Sequence, residues 1–417
     1  MTNKSLFLLG RQPALGRAEL ESLLGADHIE LVGPQAVVTA TPDNPVFFNR
    51  LGGSLKQAAV LTFLSTASWP AIEHFVKTEL LDQLSLPASG KLQLGLSVYG
   101  LAVQPAQVSA LGLQLKKQLR QVGQSVRLVA PQGQTYLSTA QVLGNKLTSD
   151  QGREIVFYVS GSQTIVAITT AEQNINDYTV RDRGRPKRDA RVGMLPPKLA
   201  QIIINLATGP ADKGTILDPF CGTGVVLQEA ALMGFTPVGS DIDPRMVEYS
   251  LTNLDWMQQK YPQTENIGRN VQVGDATDLQ WQATQSVTDE TGETGETVST
   301  KTVPLEIDFV ASETYLGRAF VVPPTTDQLH DAVTTCSLII KKFLRNLSPQ
   351  IKPGTRLCLA VPAWQTRPGN FRHLPMLDLL EEMGYNRVSF EHSKVDELIY
   401  YRADQIVARE LVIITRK

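Results

Sequence analysis

Leu217-Asp218-Pro219-Phe220-Cys221-Gly222-Thr223-Gly224 is the stretch on which the fold turns. Before it runs the apolar segment GTIL (214–217), read as a strand, and after it VVLQEAALMG (225–234), read as a helix. Only a tight turn separates the two. Gly222 and Gly224 let the backbone turn there and approach a ligand, which a β-carbon would block. A strand feeding a helix in this way is the unit of an open α/β sheet, where ligands bind outside the carboxyl ends of the strands. Asp218, at the strand tip, can accept hydrogen bonds from a cationic ligand group or from the turn's own amides.

Downstream, strands and helices alternate. TPVGSDID (236–243), NVQVGDA (270–276), EIDFVASE (306–313) and TRLCLAVPAW (355–364) read as strands. PRMVEYSLTNLDWMQQ (244–259), HDAVTTCSLIIKKFLRNL (330–347) and FRHLPMLDLLEEMGY (371–385) read as helices, and two strands close the chain around RVSF and ELVIITR. This pattern predicts a doubly wound α/β domain. Asp241 ends its second strand, placed to accept both hydroxyls of a ribose. Asp243-Pro244 is a helix N-cap followed by Pro in the first turn. Asp275 ends the next strand and can accept from an adenine amino group. The candidate cofactor residues are therefore Asp218, Phe220, Gly222, Thr223, Gly224, Asp241, Ile242, Asp275 and Ala276. The glycines follow GxG without the third glycine of the dinucleotide fingerprint, and there is no GxxxxGK[ST] phosphate loop. That favours a ligand with a nucleoside and no polyphosphate, which S-adenosylmethionine satisfies, over NAD.

Upstream, residues 1–175 mix strands and helices in an α+β pattern. SLFLLG (5–10) and AVVTAT (36–41) read as strands, with the helix AELESLL (18–24) between them. GKLQLGLSVYG (90–100) alternates with period two, the signature of a half-buried strand. In the next helix Val108, Leu111, Leu115, Leu119 and Val122 recur at helical spacing, and Lys116, Lys117 and Arg120 lie opposite on a solvated face. Residues 176–195 form a basic linker or extended arm carrying Arg181, Arg183, Arg185, Lys187, Arg188 and Arg191. The second domain then spans 196–417. Within it, residues 282–303 are a Thr/Gly/Glu low-complexity run with no apolar periodicity to bury, expected to be a disordered surface insertion.

Composition narrows the class. The 417 residues are 42% hydrophobic and 19% charged, with a net charge of −2 and a pI near 6.3. No global basic field announces a nucleic acid, so such a partner must be held by a local patch. Cys221, Cys336 and Cys358 form no CxxC pair and no His stands at zinc spacing, which argues against a metal site. No segment reaches eighteen apolar residues and the N-terminal run is too short for a signal peptide, so a cytoplasmic location is expected.

The stretch LDPFCGTGVVLQEAALMGFTPVGSDIDPRMV (217–247) and the helix GMLPPKLAQIIINLA (193–207) before it resemble the tRNA guanine-N2 methyltransferases that carry an N-terminal THUMP domain. FLLGRQPALGRAELESLL (7–24) and FFNRLGGSLK (47–56) are similar to that family's N-terminal region. The resemblance is closest over 178–276 and thins between 60 and 170. It implies a Rossmann-like class I methyltransferase domain behind a THUMP-like RNA-binding region. It implies that Asp218, Gly222 and Gly224 line the methionine end of S-adenosylmethionine, that Asp241 holds the ribose and that Asp275 lies near adenine. Arg181, Arg183, Arg185, Lys187 and Arg188 then become candidate phosphate contacts for tRNA.

Where that family reads DAIVTDPPYG, this chain has DFVASETYLG (308–317). The family's acid or amide accepts hydrogen bonds from the target amine, and its aromatic ring stacks on the flipped base. Laid without gaps, Glu313 takes the acid's place and Leu316 the aromatic's. Sliding by one puts Tyr315 on the aromatic and Ser312 on the acid. The ungapped frame keeps a carboxylate and is preferred, with Glu313, Ser312 and Tyr315 as candidate catalytic residues. Both prolines are gone. The reading is an S-adenosylmethionine-dependent enzyme making N2-methylguanosine in tRNA. Kept open beside it are a DNA amino-methyltransferase and a non-catalytic tRNA-binding protein with a relic cofactor pocket. A small activating protein subunit stays open as a partner, since some members of the wider family act with one.

Overall fold

The computed structural model describes residues 4–40, 45–189, 194–264, 267–289, 297–320, 322–367, 369–402 and 405–417. The chain divides into two compact units, Met1–Thr179 and Val180–Lys417.

The first unit is built on one eight-stranded sheet. Its spatial order is Ile29–Gly33, Ala36–Thr39, Ser5–Leu9, Ser54–Leu64, Gln163–Glu172, Gly152–Ser160, Leu92–Tyr99 and Val126–Val129. The ladders are antiparallel except where Leu92–Tyr99 runs parallel to both its neighbours. The long helix spans Pro105–Gln121, with Val108, Leu111, Leu115 and Leu119 buried, while Val122 lies beyond its end and is exposed. Leu92–Tyr99 is not half-buried as its alternation suggests. Leu92, Leu94, Leu96 and Val98 enter the core under that helix, and a β-carbon on Gly95 would meet Leu137 on the opposite face. An interior strand covered on both sides hides its small residues as well as its large ones. The first helix begins at Pro13 rather than near residue 18, with proline in its first turn.

At the centre of this sheet lies a buried polar cluster. Lys56 Nζ is 2.7 Å from Glu154 Oε1 and 3.5 Å from Glu172 Oε2, and it donates to the Leu137 carbonyl. Glu154 also accepts from Ser97 and Thr169. Burial pushes the Glu172 carboxyl up to about 7, with the Lys56 ammonium opposing that shift.

The second unit centres on β1 (Thr215–Asp218), β2 (Thr236–Asp241), β3 (Asn270–Val273), β4 (Phe309–Glu313), β5 (Arg356–Arg367), β6 (Tyr385–Arg387) and β7 (Val407–Arg416). They lie in the order β3-β2-β1-β4-β5-β7-β6. The strands from β3 through β5 are parallel, while β7 runs antiparallel to both β5 and β6. Helices α1 (Pro197–Thr208), α2 (Val225–Leu232), α3 (Pro244–Lys260) and α4 (Thr326–Leu347) complete it. Val310, Leu357, Leu359 and Ile414 from the sheet meet Cys336, Ile340, Phe343 and Leu347 of α4 in the main core. The chain order reverses between β1 and β4, so the crevice at their carboxyl ends is the switch point where such sheets bind ligands.

Three expectations change here. The arm after residue 175 begins as a helix, Ile175–Arg183, rather than an extended linker. The low-complexity run forms an antiparallel hairpin, Gln282–Asp289 against Thr297–Pro304, a two-stranded sheet of its own among the described residues. Its Thr and Val residues are ones enriched in strands. The tip, 290–296, lies outside the described residues. Finally, 371–385 is not one continuous helix: it begins inside the short strand Asn370–Arg372 and carries only the short 3-10 helix Pro375–Leu379.

Candidate active site

The turn after β1 is held by its own acids. Asp218 is buried, and its Oδ1 accepts from Ser312 Oγ at 2.6 Å and from the Phe220 amide at 3.3 Å. Burial pushes its carboxyl up to about 7, and the nearby Asp241 and Glu313 carboxylates add to that shift. Asp241 Oδ2 accepts from the Gly222 amide and its Oδ1 from the Asp243 amide, both at 2.9 Å. Asp241 thus ties the tip of β2 to the glycine turn. Asp243 itself caps α3 by accepting from the Arg245 amide, with Pro244 following.

The two glycines serve different ends. Gly222 has φ +51° and a β-carbon there would point into open space, so its conformation, not crowding, selects glycine. Gly224 has φ +78°, and a β-carbon would come 2.9 Å from Ser250 Oγ, so there packing against α3 adds a second reason. Ser250 also donates to the Gly222 carbonyl at 2.8 Å.

Beside Asp241, Ile242 is 68% exposed and Val273, at the tip of β3, is 50% exposed. Two bare aliphatic side chains flanking an acid can sandwich a planar base next to a ribose. Asp275 accepts from the Thr277 amide at 2.8 Å and so works first as a turn residue. Ala276 is core, and Phe220 packs edge-on against Phe343 at 5.2 Å, so neither is turned wholly to a ligand. Thr223 offers its carbonyl to Asn253. The donor set therefore fits a nucleoside with a cationic tail: aliphatic faces, an acid at the sugar, a buried acid at the far end and an open glycine turn.

Glu313 is the last residue of β4, and Arg409 on β7 donates to its Oε1 at 2.7 Å. Glu313 is 15% exposed and Arg409 only 7%. Ser312, one residue earlier, is fully buried and turned to Asp218 instead. Alternation along the strand explains the split, since neighbours point to opposite faces. Thr314 follows, its amide donating to the Ala360 carbonyl at 3.0 Å and its hydroxyl directed to the same atom. A proline at 314 has no N–H to give, so this chain fixes the turn with a bond where DPPY fixes it with rings. Tyr315 is 43% exposed, on the rim of a cleft of about 140 Å³ lined also by Arg318, Gln328 and Asp331.

The basic arm is partly consumed by the fold. Arg181 is buried and donates to Glu229 Oε1 at 2.7 Å. Arg185 is 2% exposed, and burial lowers its pKa against the opposing pull of Asp182 and Glu229. These two are therefore not placed as surface phosphate contacts. Lys187 is bracketed by Asn253, which accepts from its amide at 3.0 Å and donates to its carbonyl at 2.9 Å, while also donating to the Thr223 carbonyl at 2.8 Å. Arg183 and Arg188 remain exposed, and Arg191 lies outside the described residues. Sequence reading missed Arg409, Asn253, Ser250 and Glu229. Each acts across a distance in the chain that only the folded sheet closes, and no local motif marks it.

A sheet ordered β3-β2-β1-β4-β5-β7-β6, with a glycine turn after β1 and an acid at the tip of β2, defines a class I methyltransferase fold. Residues 183–366 match the family model described as RMKL-like, methyltransferase domain. A 62-residue segment is 55% identical to a tRNA (guanine(10)-N2)-dimethyltransferase of Methanothermobacter thermautotrophicus, covering 15% of this chain and 18% of that protein. Another of 84 residues is 39% identical to the enzyme of the same name from Methanocaldococcus jannaschii, covering 20% and 24%. The matched segments span less than a quarter of the length of these two curated relatives. Among solved structures, TrmN from Thermus thermophilus is similar in fold, with a TM-score of 0.52 at 15% identity over 99% of this chain and 100% of that one. No helix among the described residues is long and apolar enough to cross a membrane.

Proposed function

We propose that the chain is an S-adenosylmethionine-dependent RNA methyltransferase that methylates the exocyclic amine of a guanosine in tRNA. The observation that carries it is the meeting of Asp218, Asp241 and Glu313 at the carboxyl ends of β1, β2 and β4, around the switch point of a methyltransferase sheet. S-adenosylmethionine, when bound, supplies a methyl group on a sulfonium, which leaves as a neutral thioether. Asp241 would hold the ribose hydroxyls, Ile242 and Val273 the base, and Asp218 the cationic end. Glu313 would accept an N–H of the target amine and so aim the nitrogen's lone pair at the methyl carbon. As the N–C bond forms and the S–C bond breaks, the nitrogen sheds one proton, which the Glu313 carboxylate can take. Tyr315, exposed on the rim of the cleft, would stack on a flipped base.

The names of the relatives support tRNA as substrate, and the first unit is read as its THUMP-like grip, with Arg183 and Arg188 adding phosphate contacts. The test is transfer of labelled methyl from S-adenosylmethionine with unmodified tRNA and duplex DNA offered together, followed by nucleoside analysis. N2-methylguanosine in the RNA is expected. Label in the DNA would replace the RNA reading, and bound cofactor with no transfer to either would leave a binding protein.

A further inference from the structure

We infer that Arg409 is a positioning residue that holds Glu313 as a fixed, ionised carboxylate, and that this carboxylate selects the two adjacent N–H donors of a guanine edge. The inference rests on the proposed transfer to an amine and goes beyond it by naming what reads the base.

Among the described residues, the charged group in contact with Glu313 is Arg409 from β7, at 2.7 Å, while the Asp218 carboxyl on β1 feels the Glu313 charge without a bond to it. Arg409 supplies the side chain's only hydrogen bond among the described residues, and it uses Oε1. Oε2 and the second lone pair of Oε1 are left to accept, since a carboxylate offers about four acceptor sites and no donor. Burial pushes the Glu313 carboxyl above its ordinary value while the guanidinium pulls it back. Without Arg409 the group would take up a proton as the pH falls and would then present an O–H donor to the substrate. Guanine shows N1–H and N2–H side by side on its Watson–Crick edge, two donors that match two carboxylate oxygens. Adenine shows one donor beside an acceptor, N1, which a carboxylate repels. A glutamine would reverse the preference, because its amide offers one acceptor and one donor. Asn or Asp at this place reaches less far. The Arg409 side chain reaches across β5 from β7 to meet the Glu313 carboxylate at the end of β4.

The test compares wild type with Glu313→Gln, Arg409→Lys and Arg409→Met. Transfer is measured into otherwise identical short RNAs whose target position is guanosine or adenosine, across pH 5.5 to 9. Glu313→Gln should cut the guanine-to-adenine ratio of kcat/KM by about 10-fold or more. Arg409→Met should lower kcat/KM at pH 6 by about 100-fold and move the acid limb of the profile upward by about one unit or more. Arg409→Lys should restore most of both. The Glu313 carboxyl is also titrated directly by carbon NMR, a readout that needs no turnover. An Arg409→Met protein whose Glu313 stays ionised at pH 6, or whose acid limb does not move, overturns the positioning role. A ratio unchanged by Glu313→Gln overturns the reading of the base. Wild-type transfer to adenosine alone overturns the proposed function, while the carboxyl titration still decides the role of Arg409.

Discussion

Asp218 is a carboxyl kept out of water, and its two hydrogen-bond donors both address Oδ1. Its folded value near 7 stands above its ordinary 3.8. A carboxyl raised on folding binds more protons in the folded state, so its cost to stability is absent below about pH 4 and complete above about pH 7. Asp218→Asn keeps the acceptor at Oδ1 and removes the charge. It should stabilise the ligand-free protein at pH 8 by on the order of 1 kcal/mol, read by chemical denaturation, and leave stability at pH 4 unchanged. If Asp218 holds the cationic end of the ligand as proposed, the same variant should bind S-adenosylmethionine at least about tenfold more weakly by calorimetry, since a charge-assisted bond would be lost. The glycines give a second contrast. Gly222→Ala adds the strain of a left-handed residue, about 1–2 kcal/mol, and puts a methyl group into the open space proposed for the ligand. Gly224→Ala adds a clash with Ser250 to the same strain and should destabilise more. Thermal melts with and without cofactor separate the two, Gly222→Ala losing ligand-induced stabilisation and Gly224→Ala losing stability outright.

At the scale of elements, the arm at 181–189 shows what pattern reading can and cannot reach. Its charge is visible in the sequence, and so is the expectation that charge in a neutral protein serves a polyanion. What the letters do not show is that Glu229 on α2 and Asn253 on α3 wait for Arg181 and for the Lys187 backbone. The strand-turn-helix at 214–234, by contrast, is legible because apolar run, glycine pair and helix follow within one local unit. The hairpin at 282–304 carries no hydrophobic period in its Thr/Gly/Glu-rich letters, so its strand pairing is not legible in the sequence. In the 371–385 segment the leucines follow a helical rhythm, yet Leu374, Met376, Leu377 and Leu380 enter the α4 core from a short turn. Asn253→Ala would strand the Lys187 amide and carbonyl and the Thr223 carbonyl together. It should cost about 2–3 kcal/mol of stability and expose the arm to limited proteolysis between 183 and 189, with Asn253→Asp only partly restoring protection.

Across the whole molecule, each of the two units carries its own buried charge. In the first, Lys56 stands between Glu154 and Glu172. Lys56→Met would leave two carboxylates without their cation and should destabilise that unit by about 3–5 kcal/mol. If the first unit grips tRNA and the second holds the cofactor, tRNA affinity in Lys56→Met should fall while cofactor affinity is retained, as filter binding and calorimetry on the full chain would show. The central claim, however, concerns the crevice at β4, where SETYL stands in place of a proline-framed motif. The measurement that tests it most directly is methyl transfer from labelled S-adenosylmethionine into unmodified tRNA by wild type and Glu313→Ala, with the product nucleoside identified. N2-methylguanosine from wild type, reduced by about 100-fold or more in the variant, is the predicted result. A product formed equally well without the Glu313 carboxylate would contradict the account.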